Sequence, residues 1–143
     1  MEEIDLSEAN LSGASFRASN LNRANLSGAD FRRANLKDIN ANHTNFRNTN
    51  LGNASLERSI FTEADLSGAN LSNVSLYQAD LTRANFENAI LKNASLLGTA
   101  FIETNLRNAD IEGVFVDDET IIERTNCQEA LNYAISGIDD FIE

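Results

Sequence analysis

The chain has 143 residues, of which 42% are hydrophobic, with one cysteine and neither proline nor tryptophan. This length fits a single domain with its own core, and a lone cysteine excludes an internal disulfide framework, which suits a reducing compartment. The N-terminus lacks the pattern of a signal peptide, and no stretch is apolar for long enough to span a membrane. We therefore expect a soluble, cytoplasmic protein.

The formal net charge of −11 is concentrated at the two ends of the chain. Residues 1–8 contain four acidic residues and no basic one, and residues 114–143 contain eight acidic residues and one arginine. Residues 9–113 contain ten of each sign, so this long middle part is formally neutral. The acidic ends oppose direct binding to nucleic acid, and we expect no membrane partner either.

A five-residue repeat runs through the middle of the chain. Every fifth position from 6 to 111 is Leu or Phe, except for Ala41 and Ile111, and the position two residues earlier is almost always small. The residues of this series that we expect to form the core are Leu6, Leu11, Phe16, Leu21, Leu26, Phe31, Leu36, Phe46, Leu51, Leu56, Phe61, Leu66, Leu71, Leu76, Leu81, Phe86, Leu91, Leu96, Phe101, Leu106 and Ile111.

This period excludes the common regular structures. In an α-helix, a spacing of five residues would carry the Leu/Phe positions around the whole surface. In a flat strand, residues five apart would point to opposite sides. The chain must instead turn a corner every five residues and point one large apolar side chain inward each time, with coil stacked on coil.

Segments such as AnLsGAdF (24–31), AdLsGAnL (64–71) and AdLtRAnF (79–86) resemble the pentapeptide-repeat family. The resemblance covers roughly residues 4–115. It implies an all-β solenoid, a right-handed quadrilateral β-helix with four pentapeptides in each coil. The 22 pentapeptides of this chain would then form about five and a half coils.

Charged residues support a coil of 20 residues independently. If residues 20 apart stack at about 4.8 Å, outward positions should carry opposite charges at that separation. One like-charged pair, Arg17/Lys37, contrasts with six opposite pairs: Lys37/Glu57, Asp38/Arg58, Glu63/Arg83, Arg83/Glu103, Glu87/Arg107 and Lys92/Glu112. We expect an exposed column of alternating charge that contains Arg23, His43, Glu63, Arg83 and Glu103.

The core series has one irregular place. Ala41 leaves a gap among the Leu/Phe positions, and Ile39, two residues earlier, is larger than the residues usually found there. We expect Ile39 to fill the gap, a trade of volume between neighbouring inward positions.

Both ends of a solenoid expose unpaired backbone, which must be covered or made repulsive. At the N-terminus, like charges would keep other chains from the edge, and the residues that carry them are Glu2, Glu3, Asp5 and Glu8. At the C-terminus the repeat fades near residue 116. The sequence therefore predicts a repeat domain over residues 1–116 and a helical cap over residues 117–143.

The predicted cap helix begins near Thr125 or Asn126 and stops at Gly137. Leu97 and Ile102 are apolar at outward positions near this end and are candidates for its dock. The helix face that would close the last coil, together with Phe115, Phe141 and Ile142, contains Cys127, Leu131, Ala134, Ile135 and Ile138.

Neither a catalytic nor a metal-binding constellation is visible in the sequence. His43 is the only histidine, so a triad or metal site built on two histidines is excluded. Cys127 has two interpretations, a reactive thiol at a helix N-terminus or a packed cap residue, and we favour packing. We expect no catalytic residue, no metal and no cofactor.

Two charged groups have no functional motif around them. Residues 117–119 are all acidic but lack the spacing of a calcium-binding loop. Arg32, Arg33 and Lys37 form the densest basic group, but no aromatic residues are interleaved as a nucleic-acid site would require. We interpret both groups as solvated surface.

The sequence therefore predicts a non-enzymatic scaffold that binds another protein. Its candidate contacts are outward apolar residues without a role in the repeat, namely Ile60, Tyr77, Ile90, Leu97 and Ile102. The resemblance offers an alternative, a DNA mimic that binds type II topoisomerases in quinolone resistance, but the neutral middle of the chain does not favour it. We expect a monomer, because the acidic C-terminal end opposes the alternative homodimer through that end.

Overall fold

A computed structural model of the chain describes residues 4–127 and Ala130. Parallel backbone bridges join residues 20 apart, so that Asn25 pairs with Asp5 in one coil and with Asn45 in the next. The bridges recur at every fifth residue, which gives each coil four bridged segments. The chain thus forms a solenoid of stacked coils, and the coil length expected from the opposite charges is confirmed. Within residues 4–127 no helix is long and apolar enough to cross a bilayer.

The four sides of the solenoid are named here by their bridge residues, from the N-terminal coil to the C-terminal coil. Side A contains Asp5, Asn25, Asn45, Asp65, Asn85 and Asn105, and side B contains Asn10, Asp30, Asn50, Asn70, Ile90 and Asp110. Side C contains Ser15, Asn35, Ser55, Ser75, Ser95 and Phe115, and side D contains Asn20, Asn40, Ile60, Asp80, Ala100 and Ile121. Because consecutive pentapeptides form neighbouring sides, side B lies opposite side D.

Three of the five backbone N–H groups of a pentapeptide bond to neighbouring coils. Around Leu26, for example, the N–H of Leu26 donates to the carbonyl of Asn45 in the following coil, and the N–H of Gly28 also donates to that coil. The N–H of Asn25 donates to the carbonyl of Ile4 in the preceding coil. Each coil is therefore hydrogen-bonded on both of its faces.

The remaining two N–H groups are satisfied within the pentapeptide. The N–H of Ala29 donates to the carbonyl of Leu26 across the corner, and the N–H of Ser27 donates to the side-chain oxygen of Asn25. All five donors thus have acceptors, as a tightly stacked backbone requires. Where Asn or Asp precedes the large residue, as in this pentapeptide, its side-chain oxygen supplies the one acceptor that the backbone does not provide.

Each corner is a turn whose third residue has a positive φ, as in a type II β-turn. This holds for every pentapeptide from Glu8 to Gly113, with φ between 54° at Gln78 and 70° at Gly13. Glycine and asparagine tolerate this conformation best, yet they occupy only half of these positions. The hydrogen bonds between coils therefore hold many ordinary residues in a conformation that they adopt at a cost.

Replacing Ala18 by Gly at one such corner is expected to stabilise the protein. Ala18 is exposed and has a φ of 58°, so removal of its Cβ should raise the free energy of unfolding by up to about 1 kcal/mol. Denaturant unfolding measures the change. The control is Ala14→Gly in the same coil, where φ is not positive and the substitution should destabilise. A loss of stability in both variants would contradict the turn geometry.

The large apolar residues fill the interior. Those from Leu21 to Ile111 are at most 7% exposed, and small residues pack beside them. Rings on neighbouring columns contact one another, since the ring centroid of Phe31 lies 5.6 Å from that of Phe16 and 6.2 Å from that of Phe46. The described coils thus enclose a packed column of side chains instead of a channel.

Buried hydroxyl groups replace alanine at some of the small inward positions. The Oγ1 of Thr44 donates to the carbonyl of Leu21 at 2.7 Å, and the Oγ of Ser59 donates to the carbonyl of Leu36 at 2.7 Å. Because an unpaired buried hydroxyl would destabilise the core, these bonds explain why Ser and Thr are accepted there. The fully buried members are Thr44, Thr49, Ser59, Thr99 and Thr104.

The N-terminal coil is less well covered than the others. Because the described structure has no coil before it, three core residues remain only partly buried, namely Leu6, Leu11 and Phe16. Of the four acidic residues expected to protect this edge, Asp5 and Glu8 are exposed there. Glu2 and Glu3 lie outside the described residues.

Ile39 and Ala41 are both buried, with exposed fractions of 1% and 0%. In most other pentapeptides a small residue stands two positions before a large one, whereas here the large Ile39 stands two positions before the small Ala41. Both side chains point into the same coil, so the β-branched Ile39 occupies volume beside the small Ala41.

Substitutions that place a small residue at position 39 and Leu at position 41 should separate the contributions of Ile39 and Ala41 to the free energy of unfolding. Ile39→Ala alone should leave a cavity and lower the free energy of unfolding by about 2–5 kcal/mol. Ala41→Leu alone should be neutral or should overfill the coil at a cost of about 1–3 kcal/mol. The double variant should recover most of the loss in denaturant unfolding. A clear stabilisation by Ala41→Leu alone would instead reveal an unfilled cavity.

The coil continues past residue 116 with one additional residue. Strand β1 (Ala100–Ile102) pairs in parallel with strand β2 (Ile121–Glu123), and the paired residues are 21 apart. Ser95 and Phe115 still pair at a separation of 20. The additional residue therefore lies between Phe115 and β2, at the corner between sides C and D.

The helical cap expected from residue 117 is wrong for residues 117–127. The hydroxyl of Thr125 donates to the carbonyl of Phe101 at 2.7 Å, and Asn126 forms a parallel bridge with Asn105. Thr and Asn bond equally well at a helix N-cap and at a solenoid corner, which is why their presence was not decisive. The coil extends beyond the boundary expected at residue 116, and the later part of the predicted cap lies outside the described residues, apart from Ala130.

Candidate functional site

Apolar residues gather along side D in the C-terminal half of the solenoid. Ile60, Ala100 and Ile121 belong to one stacked column, in which Asp80 separates Ile60 from Ala100. Ile60 is 40% exposed and Ile121 is 44% exposed. Since bridge positions elsewhere are mostly Asn, Asp or Ser, this column is the most apolar outward side of the described coils.

The two edges of side D add further apolar groups. Tyr77 and Leu97 stack at the corner between sides C and D, where the carbonyls of both residues accept bonds from the preceding coil. Tyr77 is exposed and Leu97 is half-buried. Ile102, also half-buried, lies at the other edge. We call the whole group the side D surface, and its members are Ile60, Tyr77, Leu97, Ala100, Ile102 and Ile121.

Ile90 does not join this surface, although the sequence grouped it with Ile60 and Tyr77. Ile90 pairs with Asn70 and Asp110 on side B, which is the opposite side of the coil. Positions 60 and 90 are six pentapeptides apart, and six steps around a four-sided coil end on the far side. The sequence spacing shows that Ile60 and Ile90 lie on opposite sides only when each pentapeptide is assigned to one of the four sides of the coil.

Two residues near the side D surface were not among the expected contacts. Ile121 was placed in the predicted cap, and the additional residue before β2 brings it into the column above Ala100. Phe115 is 59% exposed at the end of side C, and its carbonyl accepts the N–H of Leu96 at 2.8 Å. Phe115 therefore lies around the corner from Leu97.

Acidic residues border the side D surface at its C-terminal end. A carboxylate oxygen of Asp117 accepts the N–H of Gly98 at 2.8 Å and the hydroxyl of Thr120 at 2.9 Å. The bond from Gly98 lowers the pKa of Asp117, so this carboxylate is charged at neutral pH. Asp118 and Glu119 follow it and are exposed.

The expected column of alternating charge is present at the corner between sides D and A. Glu63 contacts the Nδ1 of His43 at 3.1 Å and Arg83 at 3.3 Å, and Arg83 contacts Glu103 at 3.0 Å. Arg124 extends the column, 3.4 Å from Glu103. Arg23, expected at the other end, has no ion-pair partner within the described residues.

Other expected pairs are also ion pairs. Arg58 donates two hydrogen bonds to Asp38, at 2.8 and 3.0 Å, and Arg17 reaches the same carboxylate at 3.3 Å. The bonds from Arg58 lower the pKa of Asp38. Lys37/Glu57 and Lys92/Glu112 are paired at 3.2 and 2.8 Å.

The pairing of Asp38 should make the stability of the protein fall in acid. Because its pKa is below the ordinary value of 3.8, its stabilising contribution is complete above that value and is lost as the pH falls through the folded-state pKa. Asp38→Asn should therefore lower the melting temperature at pH 7 and flatten its decline in acid. Asp118→Asn, at a carboxylate with no ion pair among residues 4–127, is the control and should keep the wild-type pH profile. Equal flattening in both variants would contradict the assignment.

The densest basic group is largely neutralised. Arg32 forms a bidentate pair with Asp30, with a shortest distance of 2.6 Å, and this bonding raises the pKa of Arg32. Lys37 is paired with Glu57. An open groove of about 380 Å³ lies beside Arg32, and its lining residues are Ser12, Arg32, Arg33 and Asn53. All four are exposed, so the groove does not enclose a ligand.

The remaining chemical candidates occupy structural positions. Cys127 is partly buried against the core, and desolvation raises the pKa of its thiol, which disfavours the reactive thiolate. His43 belongs to the corner column. Within residues 4–127, no three His, Cys, Asp or Glu side chains come together as metal ligands.

The parallel stacking of 20-residue coils around a packed interior defines a β-helix solenoid protein. A family model described as pentapeptide repeats matches residues 1–38, 42–78 and 79–115, with eight copies. The chain belongs to the pentapeptide-repeat family. The gap between the first two matched segments coincides with Ile39 and Ala41, where the order of sizes is reversed.

Solved structures similar to this chain are also pentapeptide repeat proteins. HetL from the cyanobacterium Nostoc sp. strain PCC 7120, described as involved in heterocyst differentiation regulation, is 26% identical with a TM-score of 0.59 over 95% of this chain and 65% of HetL. This chain therefore spans less than two thirds of HetL. A protein from the Arabidopsis thaliana thylakoid lumen is 28% identical with a TM-score of 0.51 over 82% of this chain and 72% of that protein.

A third structure is QnrB1, a plasmid-mediated fluoroquinolone resistance protein. It is 18% identical with a TM-score of 0.35, over 82% of this chain and 87% of QnrB1. A likeness this low carries no argument about function. Among curated proteins, none matches the chain.

Proposed function

We propose that this pentapeptide-repeat protein is a non-enzymatic module that binds another protein through the side D surface. The observation that carries the proposal is the column of Ile60, Ala100 and Ile121, flanked by Tyr77 and Leu97, which forms the most apolar outward side of the described coils. Exposed apolar groups gathered on one side of a repeat protein are typical of contact sites. The interior of the described coils is filled with side chains, which favours binding on the outside.

The proposal includes the finer features that the resemblance implies. The coils wind in a right-handed sense, and about five and a half of them form the repeat. The protein works as a cytoplasmic monomer. Its acidic ends support the monomer, because two such ends repel each other.

The alternative of a DNA mimic is less well supported by the charge pattern. A mimic of the phosphate backbone needs regular columns of negative charge. In the described coils, the corner column from Glu63 to Arg124 alternates in sign, and Asp38 is neutralised by Arg58.

Affinity capture with matched variants tests the proposal. The side D variant Ile60→Ser/Tyr77→Ser/Ile121→Ser should lose a partner that the wild type retains, because the apolar contact area is removed. The control Ile90→Ser, an isoleucine of similar exposure on the opposite side, should retain it. Circular dichroism establishes that both variants are folded. Retention of every partner by the side D variant would refute the proposal, and inhibition of gyrase supercoiling by the wild type would favour the DNA mimic.

A further inference from the structure

We infer that the partner presents a basic amphipathic helix to the side D surface, an inference that rests on the proposed function. Its apolar face would cover the isoleucine column, and its Lys or Arg residues would lie at the C-terminal end of that column. The described residues support each part of this assignment separately.

The backbone of side D favours a helix over an added strand. The N–H groups of Ile60, Ala100 and Ile121 donate to carbonyls of the preceding coil, each at 3.0 Å. A partner strand would need free N–H and C=O groups along an open edge, and the lateral side of a solenoid offers none. Recognition must therefore use side chains, as when the apolar face of a helix lies in a hydrophobic groove.

The length of the apolar column sets the length of the helix. Ile60 and Ile121 are separated by three coil steps, through Asp80 and Ala100. At about 4.8 Å for each step, the column is about 14 Å long. A helix rises about 1.5 Å per residue, so nine or ten residues, roughly three turns, would cover it. Apolar residues at i, i+3/i+4 and i+7 would present the matching stripe.

The charges around the surface fix the character of the partner. The nearby cations are already paired, because Arg58 is bound to Asp38 and Arg124 lies against Glu103. The exposed carboxylates at the C-terminal end have no cation partner within the described residues, and they are Asp118, Glu119 and Glu123. A basic partner would gain complementary contacts there, whereas an acidic one would be repelled.

The same charges give the helix a direction along the solenoid. The N-terminal end of the column, around Ile60, has the neutral pair of Arg58 and Asp38 beside it. The C-terminal end, around Ile121, has the exposed carboxylates of Asp118, Glu119 and Glu123, which have no cation partner in the described part of the chain. The cationic end of the partner helix is therefore expected over β2, and its uncharged end over Ile60.

Binding of designed peptides to the full chain tests this inference. The probe is a labelled helical peptide with a leucine stripe at i, i+3/i+4 and i+7 and three lysines at one end. One control peptide has glutamates in place of the lysines, and a second has the same composition with the stripe scrambled. Fluorescence anisotropy measures the dissociation constants at low and physiological salt. We expect each control peptide to have a dissociation constant at least about tenfold higher than that of the lysine peptide.

Matched protein variants locate the contact. Asp118→Asn/Glu119→Gln/Glu123→Gln should weaken the lysine peptide about tenfold and reduce its salt dependence, while Ile60→Ser/Ile121→Ser should weaken both charged peptides. Ile90→Ser on side B should leave the binding unchanged. Equal binding of the scrambled peptide, or no effect of the side D variants, would overturn the inference and indicate non-specific attraction to an acidic chain.

The outcomes also separate this inference from the proposed function. If the side D variant loses its captured partner but the lysine peptide binds no more tightly than its controls, the side D surface binds a partner that is not a basic helix. If neither experiment responds to side D, both proposals fail. A mass near twice 15.7 kDa in light scattering, lost on Ile60→Ser/Ile121→Ser, would assign the surface to a second copy of the chain and overturn the basic helix.

Discussion

The hydrogen bonding of one coil to the next is the constraint on which the rest of the structure depends. A chain that turns every five residues places all of its N–H groups close to other backbone, and each of them needs an acceptor. The coils above and below supply three acceptors, the corner supplies one, and an Asn or Asp before the large residue supplies the last where it is present, as Asn25 does for Ser27. Every pentapeptide must therefore adopt nearly the same geometry, and ordinary residues such as Arg58 are held at positive φ because their neighbours leave no alternative.

The same stacking determines where the protein can act. In the described coils the inward positions are filled by Leu and Phe, and buried hydroxyls such as that of Thr44 bond to the backbone, so contacts with other molecules fall to the outer surface. Outward residues 20 apart in the sequence stack on one another, so each outward side chain belongs to a column that runs along the solenoid. Columns of amides, of alternating charges or of apolar groups are therefore the elements from which such a molecule builds a binding face.

Local periodicity predicted most of this fold, because a five-residue period is incompatible with both an α-helix and a flat strand. The pairs Asp38/Arg58 and Arg83/Glu103 predicted the coil length, since opposite charges at a fixed separation record which residues stack. The surface was harder to predict. Exposed apolar residues were found from their positions in the repeat, but Ile90 was grouped with Ile60 because a list of outward positions does not state which of four sides each one occupies. The last coil was missed because Thr125 and Asn126 satisfy a helix N-cap as well as a corner.

The additional residue before β2 decides the chemistry of the last coil. With an offset of 21, Ile121 stands above Ala100 and faces outward, while Ile122 stands above Phe101 and packs against the core. An offset of 20 would have set Thr120 above Ala100 and turned Ile121 inward, so that a hydroxyl would have replaced the isoleucine at the end of side D. A single inserted residue at a corner thus changes which side chains face outward on one side of the solenoid. Insertions at corners are therefore one way in which solenoids of this kind can present different surfaces to other molecules.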